Sequence, residues 1–138
     1  MNSIEYISLS DTDVYIETLT KYARLRNTYK IRRRHYQLDS ERGNVEMARS
    51  RVEKMNADAA EIERLTPQVK QIVQQVDENL AADPKNKRAR LLRLYCDVIA
   101  ADVYEVARLQ QKISVLKSQV FRGGNADGAD APAEGSLF

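Results

Sequence analysis

Tyr15, Tyr22, Tyr29 and Tyr36 recur at intervals of seven residues, a spacing that lines their phenol rings along one side of an α-helix. The same stretch is basic. Between Thr18 and Leu38 lie Lys21, Arg24, Arg26, Lys30, Arg32, Arg33, Arg34 and His35, with no acid among them. Guanidinium groups bind phosphates or carboxylates through paired N–H donors, and they stack on aromatic rings. Tyr15, Tyr22, Arg26, Tyr29, Arg32, Arg33, Arg34 and Tyr36 therefore form a candidate face for a protein partner or for nucleic acid. Its plainer counterpart is a solvated helix surface whose cations pair with Glu53, Asp58, Glu61 and Glu63 further along the chain.

A second basic cluster, Lys85, Lys87, Arg88, Arg90 and Arg93, follows Pro84. It offers candidate contacts at a turn between helices, or simply a solvated turn. Other reactive groups are sparse. His35 is the only histidine and Cys96 the only cysteine, so the usual metal-ligand spacings are missing and an internal disulfide is impossible. A half-buried structural thiol is the default reading of Cys96. No phosphate-binding glycine loop, dinucleotide fingerprint or Ser-His-Asp set occurs. A thin helical rod also lacks the large concave pocket of most enzymes. The expectation is a chain without enzyme activity, cofactor, metal or small-molecule substrate.

These side chains must be held by helices. Val45, Ala48, Val52, Met55, Ala59, Ile62, Val69, Val73 and Val76 follow a three-four spacing, with Thr66 as the polar exception. After Asp83-Pro84 the spacing resumes in Leu92, Tyr95, Ile99, Val106, Leu109, Ile113, Leu116 and Val120, with Asp102 as the exception. Such spacing marks a coiled-coil seam. Folding the chain at Pro84 sets Val76 against Leu92, Val73 against Tyr95, Val69 against Ile99 and Ile62 against Val106. It continues with Ala59 against Leu109, Met55 against Ile113, Val52 against Leu116 and Ala48 against Val120. Thr66 then meets Asp102, a polar layer that can fix register. The prediction is an all-α fold: a long antiparallel coiled-coil hairpin over 43–122, its tip near 82–86.

Ahead of the hairpin stand an arm over 1–10 and a helix over 11–42, started by Ser10 or Asp11. Gly43-Asn44 favours a break that folds this helix back as a three-helix bundle. The heptad line Ile31, Leu38, Val45, Val52 would instead suit one continuous helix and an extended rod. Thr66-Pro67 predicts a bend within the second helix, not its end. Leu91, Leu94, Val98, Val103 and Val115 lie off the seam and call for a further helix, from this chain or another. β-Branched residues alternating with leucine along the last run also suit a parallel dimer.

Residues 123–138 are rich in Gly, Ala and Asp, and read as a disordered acidic tail. Its closing Leu137-Phe138 resembles the acidic tails ending in Phe by which bacterial single-stranded-DNA-binding proteins recruit partners. That resemblance covers only the last few residues and implies a docking tip.

Composition narrows the class. A charged fraction of 30% against 43% apolar suits long solvated helices better than a thick core. A net charge of +2 leaves partner choice to local patches. With no apolar run of membrane-spanning length and no signal peptide at the N-terminus, the expectation is an intracellular, cytoplasmic protein. The expected function is a structural or adaptor subunit of a larger assembly, binding other protein subunits through coiled-coil packing as a homo- or hetero-oligomer. Nucleic-acid association through residues 18–38 is the first alternative, and a secretion-type stalk or holdase-like hairpin the second.

Overall fold

A computed structural model describes residues 4–122. The acidic tail 123–138, and with it the Leu137-Phe138 docking tip, lies outside the described residues. Four helices and no strand occur among the described residues: α1 (Leu9–Glu41), α2 (Val45–Ala82), α3 (Lys87–Ala100) and α4 (Val103–Arg122). The fold is an all-α bundle.

Each helix starts on a side-chain cap. Ser8 Oγ accepts the Asp11 N–H at 3.0 Å, Asn86 Oδ1 accepts the Ala89 N–H at 3.1 Å, and Asp102 Oδ1 accepts the Glu105 N–H at 2.8 Å. These bonds occupy N–H groups that a first helical turn leaves without partners. The first cap is therefore Ser8, two residues before the predicted start. Between α1 and α2 the chain reverses at Gly43, which has φ +74°, a left-handed conformation that favours glycine.

α1 and α2 run antiparallel along most of their length. Tyr15 Oη donates to Gln75 Oε1 at 2.8 Å near one end. Tyr22 meets Thr66, Arg32 pairs with Asp58, and Arg51 pairs with Asp39 at 2.8 Å toward the other. α3 lies against both helices beside the α2 C-terminal half, and α4 packs on α3. The core is centred there: Leu19, Tyr22, Leu65, Val69, Ile72, Val76, Leu91, Leu92, Tyr95, Val98, Ile113 and Leu116 are buried together. Ile7 of the N-terminal arm joins them at 1% exposure.

The predicted hairpin differs in its second strand. The run after Pro84 is two helices, parted where Ala101 turns to an extended ψ of 151°. α4 folds back on α3, so α2 has α1 as its long partner. The expected register of Ile62, Ala59, Met55, Val52 and Ala48 against α4 is not formed, because the α4 seam is spent elsewhere: Ile113 and Leu116 are buried in the core beside α3. The polar layer is likewise replaced. Asp102 caps α4 and Thr66 bonds to Tyr22. Neither glycine nor proline stands at the break. Burial of Ile113 and Leu116, at roughly 1.5–3 kcal/mol per fully buried aliphatic side chain, rewards the reversal that Asp102 caps.

α2 passes through Pro67 without ending. The proline supplies no N–H to the turn before it. Beside that gap, Thr66 Oγ1 donates to the Ile62 carbonyl at 2.7 Å. Its hydrogen is thus committed, which makes the Tyr22 hydroxyl the donor in the 3.1 Å contact with Thr66.

Candidate interaction site

The molecule has two parts. In the body, around α3, the α1–α2 pair carries a third helix and then a fourth. Beyond the end of α3 the pair continues as an arm of two helices, closed by the Gly43 turn. The arm is where the tyrosine and arginine face leaves the core.

At the end of α3, Val98 and Ile99 share a cleft of about 240 Å³ with Ala23, Arg26, Asn27 and Lys30 of α1. Past this point Arg26 and Lys30 line a second depression, a groove of about 520 Å³ between α1 and α2. Tyr22, Arg26, Tyr29, Lys30 and Arg33 form its α1 wall, and Ala59, Ile62, Glu63 and Thr66 its α2 wall. The groove thus begins where α3 stops. Tyr36 on α1, and Met55 and Val52 on α2, continue the same helical lines one or two turns further along the arm. Tyr36, Met55 and Val52 are half-buried, while Val45 near the turn is 65% exposed.

Three features give the groove its character. The Arg26 guanidinium lies over the Tyr22 ring, 5.8 Å from the centroid, where the ring quadrupole attracts a cation. Arg26 Nε is buried and has no hydrogen-bond acceptor, an arrangement that costs about 1–3 kcal/mol unless something supplies one. The third feature is a division among the cations. Lys21 reaches Glu61 at 3.6 Å, and Arg32 is held by Asp58, itself only 9% exposed. Both carboxylates are ones the sequence offers as partners. Among the described residues Arg26, Lys30, Arg33 and Arg34 have no carboxylate partner. Glu61 also accepts from Arg64, whose guanidinium holds the carboxyl below the usual range.

Other candidate residues are placed differently. Tyr15 lies at the body end of α1, with its hydroxyl pinned to Gln75 and raised above the usual phenol range by burial and by Asp11 and Glu5. The basic turn cluster is partly consumed. Arg88 Nη1 donates to the Ile7 carbonyl at 3.1 Å, and Arg93 pairs with Asp77 at 2.8 Å and Asp97 at 3.5 Å. Lys85, Lys87 and Arg90 face solvent. Of the seam residues, Val69, Val76, Leu92, Tyr95, Ile113 and Leu116 are buried. Val52, Met55, Ile62, Val73, Ile99, Val106, Leu109 and Val120 are half-buried.

The spacing argument misses the full burial of two polar residues, Thr12 and Asn79. Asn79 is fully buried, where its Oδ1 accepts the Ile7 N–H at 2.9 Å and its Nδ2 donates to the Glu5 carbonyl at 3.1 Å. The available signal is a second heptad line on α2, Asp58, Leu65, Ile72 and Asn79, whose polar ends disguise it as a wet face.

Among the described residues no group of His, Cys, Asp and Glu converges to hold a metal, and no helix is long and apolar enough to cross a membrane. Comparison with protein families, with curated proteins and with solved structures finds no match for this chain.

Proposed function

We propose that the chain is a non-enzymatic adaptor or structural subunit of a larger protein assembly, working through coiled-coil-like helix contacts. One observation carries the reading. The α2 stripe that α3 covers in the body runs on into the arm as Ile62, Ala59, Met55 and Val52, where no third helix of the described residues lies over it. Half-covered helix faces of this kind are where soluble proteins bind one another. Exposed Ile31, Leu38 and Val45 on the arm, and Val103-Tyr104 at the α3–α4 corner, add apolar surface outside the core. The test is recovery of the tagged full-length chain from its native source, with the intact mass of what accompanies it. A defined complex that survives moderate salt is expected. A stable monomer with no stoichiometric partner would count against the proposal.

A second reading is favoured by the cations without carboxylates. Arg33 and Arg34, with Lys30 and Arg26, suit a phosphate backbone. It calls for affinity toward DNA or RNA that falls steeply with salt and is lost in Arg33→Glu/Arg34→Glu. Absence of any shift at low salt removes it.

A further inference from the structure

We infer that the arm groove is a docking site for an acidic amphipathic α-helix, which takes up the third-helix position that α3 vacates. The inference rests on the adaptor reading and names the partner's chemistry. Its shape argument is continuity. α3 rests between α1 and α2 as far as Val98 and Ile99, and Arg26 and Lys30 pass from the cleft at its end into the groove beyond. A helix entering there continues the packing of α3, with an apolar seam against Ile62, Ala59 and Met55. The α2 wall of the groove spans Thr66 to Ala59, and its line continues through half-buried Met55 and Val52, about 21 Å in all at 1.5 Å per residue, room for roughly two heptads.

Charge selects the occupant. Arg26, Lys30 and Arg33 stand along the α1 wall without carboxylate partners and outnumber the one acid of the groove, the exposed Glu63 on the facing wall, and Arg26 Nε is a buried donor awaiting an acceptor. A carboxylate at a position flanking the incoming seam supplies it, through a charge-assisted hydrogen bond of the stronger kind. The same argument sets aside this chain's own α4. Its seam has the right spacing, but it carries Arg108, Lys112, Lys117 and Arg122 against a single Glu105. Its Ile113 is already fully buried. A second copy would bring the same basic helix to a basic groove. A nucleic acid would satisfy the cations, yet it leaves the aliphatic wall of the groove without a purpose.

Fluorescence anisotropy of the full-length protein with synthetic peptides tests this. One labelled peptide of about two heptads carries leucine at the seam and glutamate beside it; a second replaces each glutamate with lysine. The acidic peptide is expected to bind and the basic one not. Arg26→Glu/Arg33→Glu is expected to weaken binding by about tenfold or more. Ala59→Glu, which sets bulk and a repelling carboxylate at an exposed position of the groove, is expected to do the same, with its own thermal melt unchanged. Equal binding of both peptides, no binding of the acidic one, or indifference to both variants would overturn the inference. So would an oligothymidylate that binds more tightly than the peptide through the same two arginines. A disulfide formed within one chain between Ala59→Cys and Leu109→Cys would show α4 filling the groove, and would overturn it too. A native complex that persists unaltered in Ala59→Glu would leave the adaptor reading standing and the groove reading refuted.

Discussion

At the scale of single residues, Asn79 and Cys96 show how burial changes what a side chain does. Asn79 sits in a helix yet serves the N-terminal arm, matching one backbone donor and one backbone acceptor of residues 5 and 7. Alanine there would leave the buried Ile7 N–H without an acceptor and the Glu5 carbonyl without a donor. Asn79→Ala is therefore expected to cost about 2–3 kcal/mol, read as a lower midpoint in urea with an unchanged slope. A loss below about 0.5 kcal/mol, the range of ordinary surface changes, would mean that the arm is not held there. Cys96 is half-buried, and burial pushes its thiol up to about 11. The thiolate is the reactive form, so a maleimide at neutral pH should label Cys96 in the folded protein far more slowly than in the unfolded chain. The raised value has a sign for stability. Between the ordinary thiol range and about 11 the unfolded chain releases its proton while the folded chain keeps it. The stability that Cys96 contributes is present below that window and is lost as pH rises through it. Tyr15, also raised, acts in the same direction as pH passes the ordinary phenol range, where ionisation further removes its hydrogen bond to Gln75.

At the scale of elements, the heptad lines make helix existence legible and leave helix partnership ambiguous. The break at Gly43 and the tip at residues 83–86 follow from turn chemistry that the sequence displays openly. The α3–α4 break does not, since Ala100-Ala101-Asp102 contains no obligatory helix breaker and the seam phase passes through it. One apolar stripe on the last run fits two surfaces, α2 of the arm or α3, and tertiary packing selects α3. The buried line Leu65 and Ile72 was hidden for a related reason. Asp58 and Asn79 share it, and a polar residue is ordinarily a sign of solvent; here each has a partner supplied from another element, Arg32 for Asp58 and the buried Ile7 N–H for Asn79. The chosen packing has measurable consequences. Ile113→Ala in α4 is expected to cost about 2–5 kcal/mol, as truncation of a fully buried aliphatic residue does. Val45→Ala, on the same sequence pattern but exposed, should stay within about 0.5 kcal/mol. Asp102→Ala should remove about 1 kcal/mol through the lost cap. In a hairpin of the kind predicted from spacing alone, residue 102 would lie inside a continuous helix and alanine would be neutral or stabilising.

At the scale of the whole molecule, thickness is unevenly distributed. The α1–α2 pair is backed by α3 in the body, where the fully buried Leu19, Val76, Leu91 and Leu92 lie. In the arm the same two helices are joined by ion pairs, Arg32 with Asp58 and Arg51 with Asp39, over a seam of half-buried side chains. Taking these partly buried charges out of water offsets much of their attraction, and an isolated pair of helices buries too little apolar area to match a four-helix layer. Amide exchange should therefore divide the long helices along their length. Backbone N–H groups of residues 30–57 are expected to exchange at least about a hundredfold faster than those of residues 65–80, because local opening of the arm does not require the body to unfold. The division falls within α2 and not at a loop, so a uniform profile along α2 would refute it. The acidic peptide proposed for the groove should then slow exchange in the arm and leave the body unchanged. Slowing in both would mean that the peptide stabilises the fold as a unit, and that arm and body open together.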